Sequence, residues 1–201
     1  GRQPHPDNLR ASYGCNIANE LYAILHCDAE SASSNSRIIR TTREWLANTP
    51  QREDILVIIQ WSTWEREEWL HNNVYYQINA SGADDVPTEL QEQYKNYVIN
   101  VDWRAKTDQA HKDIWQFHTE LQDQNIKHIF FNGNNDFSKI TDRKDWRTSY
   151  IGPYDPSQTY NALIHQQGIQ TVAPNSYHFG KDGHSFFHRF MLQYIIDNKF
   201  I

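Results

Sequence analysis

Apolar residues fall into two kinds of pattern along this chain, and the two alternate. Ile55–Trp61 (ILVIIQW) and Lys127–Asn132 (KHIFFN) are short, almost continuously apolar, and rich in β-branched or aromatic residues. Such runs predict strands covered on both faces, as in a parallel sheet. Elsewhere the apolar positions recur at helical spacing. Ile17, Leu21, Ile24 and Leu25 predict a helix over Cys15–Leu25, with Ser12 as its cap. Ile38, Thr42, Trp45 and Leu46 predict a second over 36–48, and Trp103, Ala110, Ile114, Phe117 and Leu121 a long one over 102–124. Tyr160–Gln167 reads as a short helix closed by Gly168. Asp182 is placed to cap a terminal helix carrying Phe187, Phe190, Met191, Tyr194 and Ile195.

The intervening segments complete the outline. His26–Asn35 reads as a strand end passing into a loop, and Ile169–Ala173 as a further short strand. The stretch 62–69 (STWEREEW) predicts a helix start, its charges on a solvated face. Residues 71–101 read as an irregular insertion or lid with short helical pieces, and 138–156 as an aromatic loop. Alternating helices and strands predict an α/β fold, three-layer α/β/α on a parallel sheet, with residues 1–201 forming a single domain.

Composition narrows the function classes. A net charge of −6 and the lack of a basic block argue against a nucleic-acid grip. No apolar run reaches the roughly 18 residues of a membrane span, and no secretory h-region opens the chain. The expectation is therefore a soluble protein, cytoplasmic or part of a particle. Cys15 and Cys27 are too few for a disulfide framework. The sole methionine is Met191, so Gly1 is not a translation start and a preceding segment is expected.

Candidate chemistry concentrates in Pro174–Tyr194 (PNSYHFGKDGHSFFHRFMLQY), which holds His178, His184 and His188. His178 precedes the helix in a turn bounded by Pro174 and Gly180, a suitable place for a general base. His184 and His188 read as surface or interface residues of an amphipathic helix. Their i, i+4 spacing would let both face one ion, but no nearby Glu completes a zinc-protease pattern, so no metal or other cofactor is assigned.

Three segments carry a resemblance. SASSNSRIIRTT and ILVIIQWSTWERE resemble the second and third blocks of the SGNH (GDSL-type) hydrolases, closest to the divergent phage and cyanobacterial branch. YHFGKDGHSFFHRFM resembles that family's last block. The resemblance implies a flavodoxin-like parallel sheet whose first, central strand would lie before Gly1 and carry the serine nucleophile. It implies that His178 deprotonates that serine, with Asn175 where the family has an orienting Asp. Ser33–Ser34–Asn35 would supply a backbone oxyanion donor near Ser34 and Asn35. The family's GxND block corresponds by spacing to Ser62–Glu65 and by spelling to Gly133–Asp136, leaving Ser62 and Asn135 as alternative contributors.

Two readings follow. One is hydrolysis of an ester, with O-acylated carbohydrate as the substrate class. The other is a non-catalytic SGNH-like domain that binds other chains of an assembly, for instance in a phage particle. Asn175 and the aromatics Trp64, Trp69, Trp146, Tyr150 and Tyr154 suit the second. Neither involves nucleic acid or membrane.

Overall fold

The two apolar runs meet. In the computed structural model, which describes residues 6–174 and 176–201, the chain passes through α1 (Pro6–Arg10), α2 (Tyr13–Glu20), α3 (Asn35–Ala47) and β1 (Leu56–Trp61). It continues through β2 (Glu67–His71), β3 (Val74–Ile78), α4 (Gln91–Asn100), α5 (Trp103–Asp123), β4 (Lys127–Asn132), α6 (Tyr160–Gln166) and α7 (Lys181–Asp197). β1 and β4 pair in parallel, from Leu56 opposite Lys127 to Trp61 opposite Asn132. β2 and β3 form a separate antiparallel hairpin. The fold is mixed α/β, with one small parallel and one small antiparallel sheet.

Strand alternation sorts the core into two sides. Val57, Ile59 and Trp61 of β1 join Phe130 of β4 and pack against Ile39 and Leu46 of α3 and Ile114, Phe117 and Leu121 of α5. Leu56, Ile58, Ile129 and Phe131 face the other way, onto Ile17 of α2, Leu163 and Ile164 of α6, and Phe187, Met191 and Ile195 of α7. Both faces of the parallel pair are thus covered by helices, which is why these strands carry so few polar residues. The helices over 35–47, 103–123, 160–166 and 181–197 match the periodicity closely, and Ser12, Ser34, Asp102 and Thr159 each cap a helix with a side-chain oxygen.

Several expectations are corrected. The stretch 62–69 does not begin a helix; its second half is strand β2. Asn72 and Asn73 both take positive φ (49° and 61°), forming the tight turn that folds β2 onto β3, and side-chain amides tolerate that conformation well. The charges of Glu65–Glu68 are not a solvated face, since Glu68 is almost wholly buried in a bidentate pair with Arg40 (2.9 and 2.7 Å). The helix expected to reach Leu25 stops at Glu20, where Tyr22 turns at φ 53° and leaves Ile24 fully exposed. Trp103 is exposed rather than on the buried stripe of α5. Gly180, not Asp182, precedes α7, and Asp182 lies in its first turn. Ile169–Ala173 contributes only one bridge, Thr171 to Phe179. Trp64, Trp146 and Tyr150 are core residues at 3–4% exposure, with Trp64 stacked on Phe137 at 4.7 Å.

One buried polar pair stands inside this packing. His118 Nδ1 lies 2.7 Å from His128 Nε2, and His128 Nδ1 lies 2.8 Å from Ile126 O. Because a carbonyl only accepts, His128 carries a proton on Nδ1; with both rings neutral, its Nε2 accepts the His118 Nδ1–H. Burial, then the neighbouring His128 and Arg147, push His118 down to about 4, and burial also lowers His128. The unfolded chain therefore takes up the proton first as pH falls. Stability contributed by His118 is expected to be present above about pH 6.5 and to fall by on the order of 3 kcal/mol towards pH 4. Urea titrations across this range test it: the slope shrinks in His118→Phe, and equal slopes in the two proteins contradict it.

A second expectation concerns Gly183 in the first turn of α7, where an added Cβ would sit 2.5 Å from the Cβ of Phe179. Gly183→Ala is expected to destabilise by about 1–3 kcal/mol, although Gly to Ala inside a helix ordinarily gains about 1. Thermal unfolding reads the sign directly.

Candidate functional site

Helix direction defines one end of the parallel pair. The start of α3 is tied to the end of β1: Asn35 Oδ1 accepts from Ser62 N (2.8 Å), and Asn35 Nδ2 donates to Ser62 O (3.3 Å). The start of α6 is tied to the end of β4, Asn161 N donating to Gly133 O (3.2 Å). Gly133 N in turn donates to Trp61 O (3.1 Å). A Cβ on Gly133 would meet Gln60 Nε2 at 3.0 Å and Trp61 O at 3.1 Å, so glycine permits this close crossing.

The His178 loop reaches the same end from the other face. Phe179 packs edge-on to Tyr160, whose ring lies 6.0 Å from Tyr13. The Tyr13 hydroxyl donates to Gln60 Oε1 (3.3 Å), next to the end of β1. At its far end α7 leads to Phe200, whose carbonyl accepts from Lys127 Nζ (2.8 Å) at the start of β4. α3, α6 and α7 therefore all begin at the carboxyl ends of β1 and β4, the end where open α/β sheets bind ligands.

The individual candidates differ in what they touch. His178 is exposed, its N–H donating to Ser176 Oγ (3.0 Å) and its carbonyl accepting from Val172 N (2.9 Å). Asn175 lies outside the described residues. Ser34 is fully buried; its Oγ caps α3 and its N–H donates to Gln77 Oε1 (3.0 Å). Asn35 and Ser62 are brought together as described, and Ser62 Oγ accepts from Arg66 Nη1 (3.0 Å). Asn135 is half-buried in the turn after β4, where Asp136 Oδ1 accepts from Ser138 N (2.8 Å). His184 is half-buried and stacks on Tyr13 at 6.0 Å, with its pKa lowered by burial. His184 Nδ1 and His188 Nε2 are buried without a hydrogen-bond partner, so both rings are more enclosed than the sequence suggested. Among the described residues no three His, Cys, Asp or Glu side chains gather closely enough to hold a metal ion.

Sequence reasoning missed several groups at this end. Asn132 is 1% exposed; its Oδ1 accepts from the Tyr150 hydroxyl, while Nδ2 has no partner. Its neighbour across the ladder, Trp61, is equally buried and leaves Nε1 unpartnered. Glu65 Oε2 and Arg66 Nε are also buried without partners, although Thr63 Oγ1 donates to Glu65 Oε1 (2.8 Å). The available signal was an Asn directly after the apolar Ile129–Phe131, a polar group at a position the pattern makes interior.

The Asn35–Ser62 bridge makes a direct prediction. Asn35→Ala leaves both Ser62 backbone groups without these partners and is expected to cost about 1–3 kcal/mol. Asn35→Ser retains at most one of the two bonds and should fall between, as read by denaturant unfolding; an Ala variant as stable as the parent contradicts the role.

Comparison with known family models, curated proteins and solved structures returns no match.

Proposed function

We propose that this chain is an SGNH-type ester hydrolase-like domain of three-layer α/β/α, flavodoxin-like design, with His178 as the base. The observation that carries this reading is the placement of the exposed His178 loop at the carboxyl ends of β1 and β4, with Phe179 packed against Tyr160 at the start of α6. The sequence resemblance supplies the chemistry. A serine Oγ outside the described residues attacks the ester carbonyl while His178 takes its proton. The resulting oxyanion is held by N–H donors, and His178 returns the proton to the departing alcohol. Water then releases the acyl group by the same two steps. O-acylated carbohydrate is the substrate class proposed, without a cofactor.

A second reading has its own support. The two donors expected to serve an oxyanion are engaged internally, Ser34 N–H by Gln77 and the Asn35 amide by Ser62. That engagement favours a non-catalytic SGNH-like domain that binds other chains of an assembly.

Reaction of the full-length protein with a fluorophosphonate probe, beside His178→Ala, separates the two. The hydrolase reading predicts labelling that His178→Ala abolishes while leaving stability within about 0.5 kcal/mol, since His178 is an exposed residue. Folded protein that takes no label contradicts it and supports the binding reading.

A further inference from the structure

The loop that follows β4 is held to α5 by side chains alone. Among the described residues, no backbone group of 138–147 bonds to the backbone of α5 or of any strand. The attachment centres on buried Trp146, which lies edge-on to His111 (5.6 Å) and Trp115 (4.9 Å) and meets His118 at 5.3 Å, all on α5. His111 and His118 are seven residues apart on that helix and so share a face, and both are buried.

Each imidazole is bonded in a way that an added proton would break. The Tyr154 hydroxyl accepts from Lys144 N (2.6 Å) and Trp146 Nε1 (2.8 Å), which fills both of its lone pairs. Its single proton then goes to His111 Nε2 (2.9 Å) rather than to the more distant Lys144 O (3.4 Å), so that nitrogen carries none. A protonated Nε2 would bring a third donor to an oxygen with no lone pair left. His118 gives its Nδ1–H to His128 Nε2 (2.7 Å), and its own Nε2 is buried without a partner among the described residues. A proton there would make a buried cation with no acceptor. Burial is the largest influence on both rings and disfavours the cation. Lys144 adds to this at His111, against Asp142 and Asp108; His128 and Arg147 add to it at His118, against Asp145.

We infer that residues 138–147 form an acid-released clasp on α5, closed while His111 and His118 are neutral and freed when both take up protons. Release also relaxes Arg147, which is held at φ 50° although it carries a side chain. The ladder between β1 and β4 is bonded main chain to main chain and uses neither ring, so acid acts on the clasp before it acts on the sheet. This inference holds whether or not the domain is catalytic.

Residue-resolved amide exchange of the full chain at about pH 7.5 and 5.5, corrected for the intrinsic effect of pH, tests it. A released imidazole regains an ordinary pKa of about 6.5, so each histidine is expected to raise opening about tenfold at the lower pH. The amides of Lys144 and Ser149, bonded to Tyr154 and Trp146, should report this opening, while the amides joining β1 to β4 stay as protected as before. His111→Gln keeps an acceptor for Tyr154, and His118→Asn keeps a donor for His128. Neither replacement takes a proton, so each should remove about tenfold of the response. A segment equally protected at both pH values, opening shared by the β1–β4 amides, or an unchanged response in either variant overturns the inference. One reading needs no variant to fold. Imidazole nitrogen shifts of the parent at the higher pH should show His111 Nε2 unprotonated, and a protonated Nε2 overturns the inference.

Discussion

Everything in this molecule is hung on six parallel residue pairs, Leu56 opposite Lys127 through Trp61 opposite Asn132. A parallel register cannot be closed by a tight turn, so the chain between the strands must travel back over a face. Here that return includes the long helix α5, whose Ile114, Phe117 and Leu121 are completely buried. Because the register sends alternate residues to opposite sides, the same ladder also creates the second core against α2, α6 and α7. Truncating Phe187 or Met191 would therefore strip packing from the strands as much as from their own helix.

The ladder also fixes where polar groups gather. Helices that return over a parallel sheet begin near the strands' carboxyl ends, which brings Ser34, Asn35, Asn161 and the His178 loop to one end of this pair. Much of that polarity is structural. Asn35 fastens α3 to Ser62, and the Ser34 N–H enters a chain that runs through Gln77 (3.0 Å) and Glu68 (2.9 Å) to Arg40 (2.7 Å). The hairpin is locked to α3 by this chain. His178 is different, because it is exposed.

Legibility in the sequence followed the strength of local physics. ILVIIQW and KHIFFN were readable because continuous apolar runs of that length have few alternatives, and Ser12 was readable as a cap, whereas the caps Ser34 and Thr159 were not. The hairpin was not. Its turn is Asn72–Asn73 rather than an Asn–Gly pair, and acids in β2 that mimic a helix start are held by distant Arg40 and Lys106. The end of α2 was also hidden, since Tyr22 adopts a positive φ that a reader expects of glycine. His178, Asn35 and Ser62, the candidates read from the sequence, lie at the carboxyl end of the parallel pair. The sequence did not reveal which donors are engaged, because Gln77, some forty residues from Ser34, decides that.

The central claim is that, among the described residues, β1 is bonded along one edge only, to β4, with the starts of three helices gathered at its end. Residue-resolved amide exchange of the chain alone tests it most directly. The account predicts alternation along Leu56–Trp61, with slow exchange for amides directed at β4 and fast exchange for those between them. Uniformly slow exchange along the whole strand would show that both edges are already paired and would contradict the account.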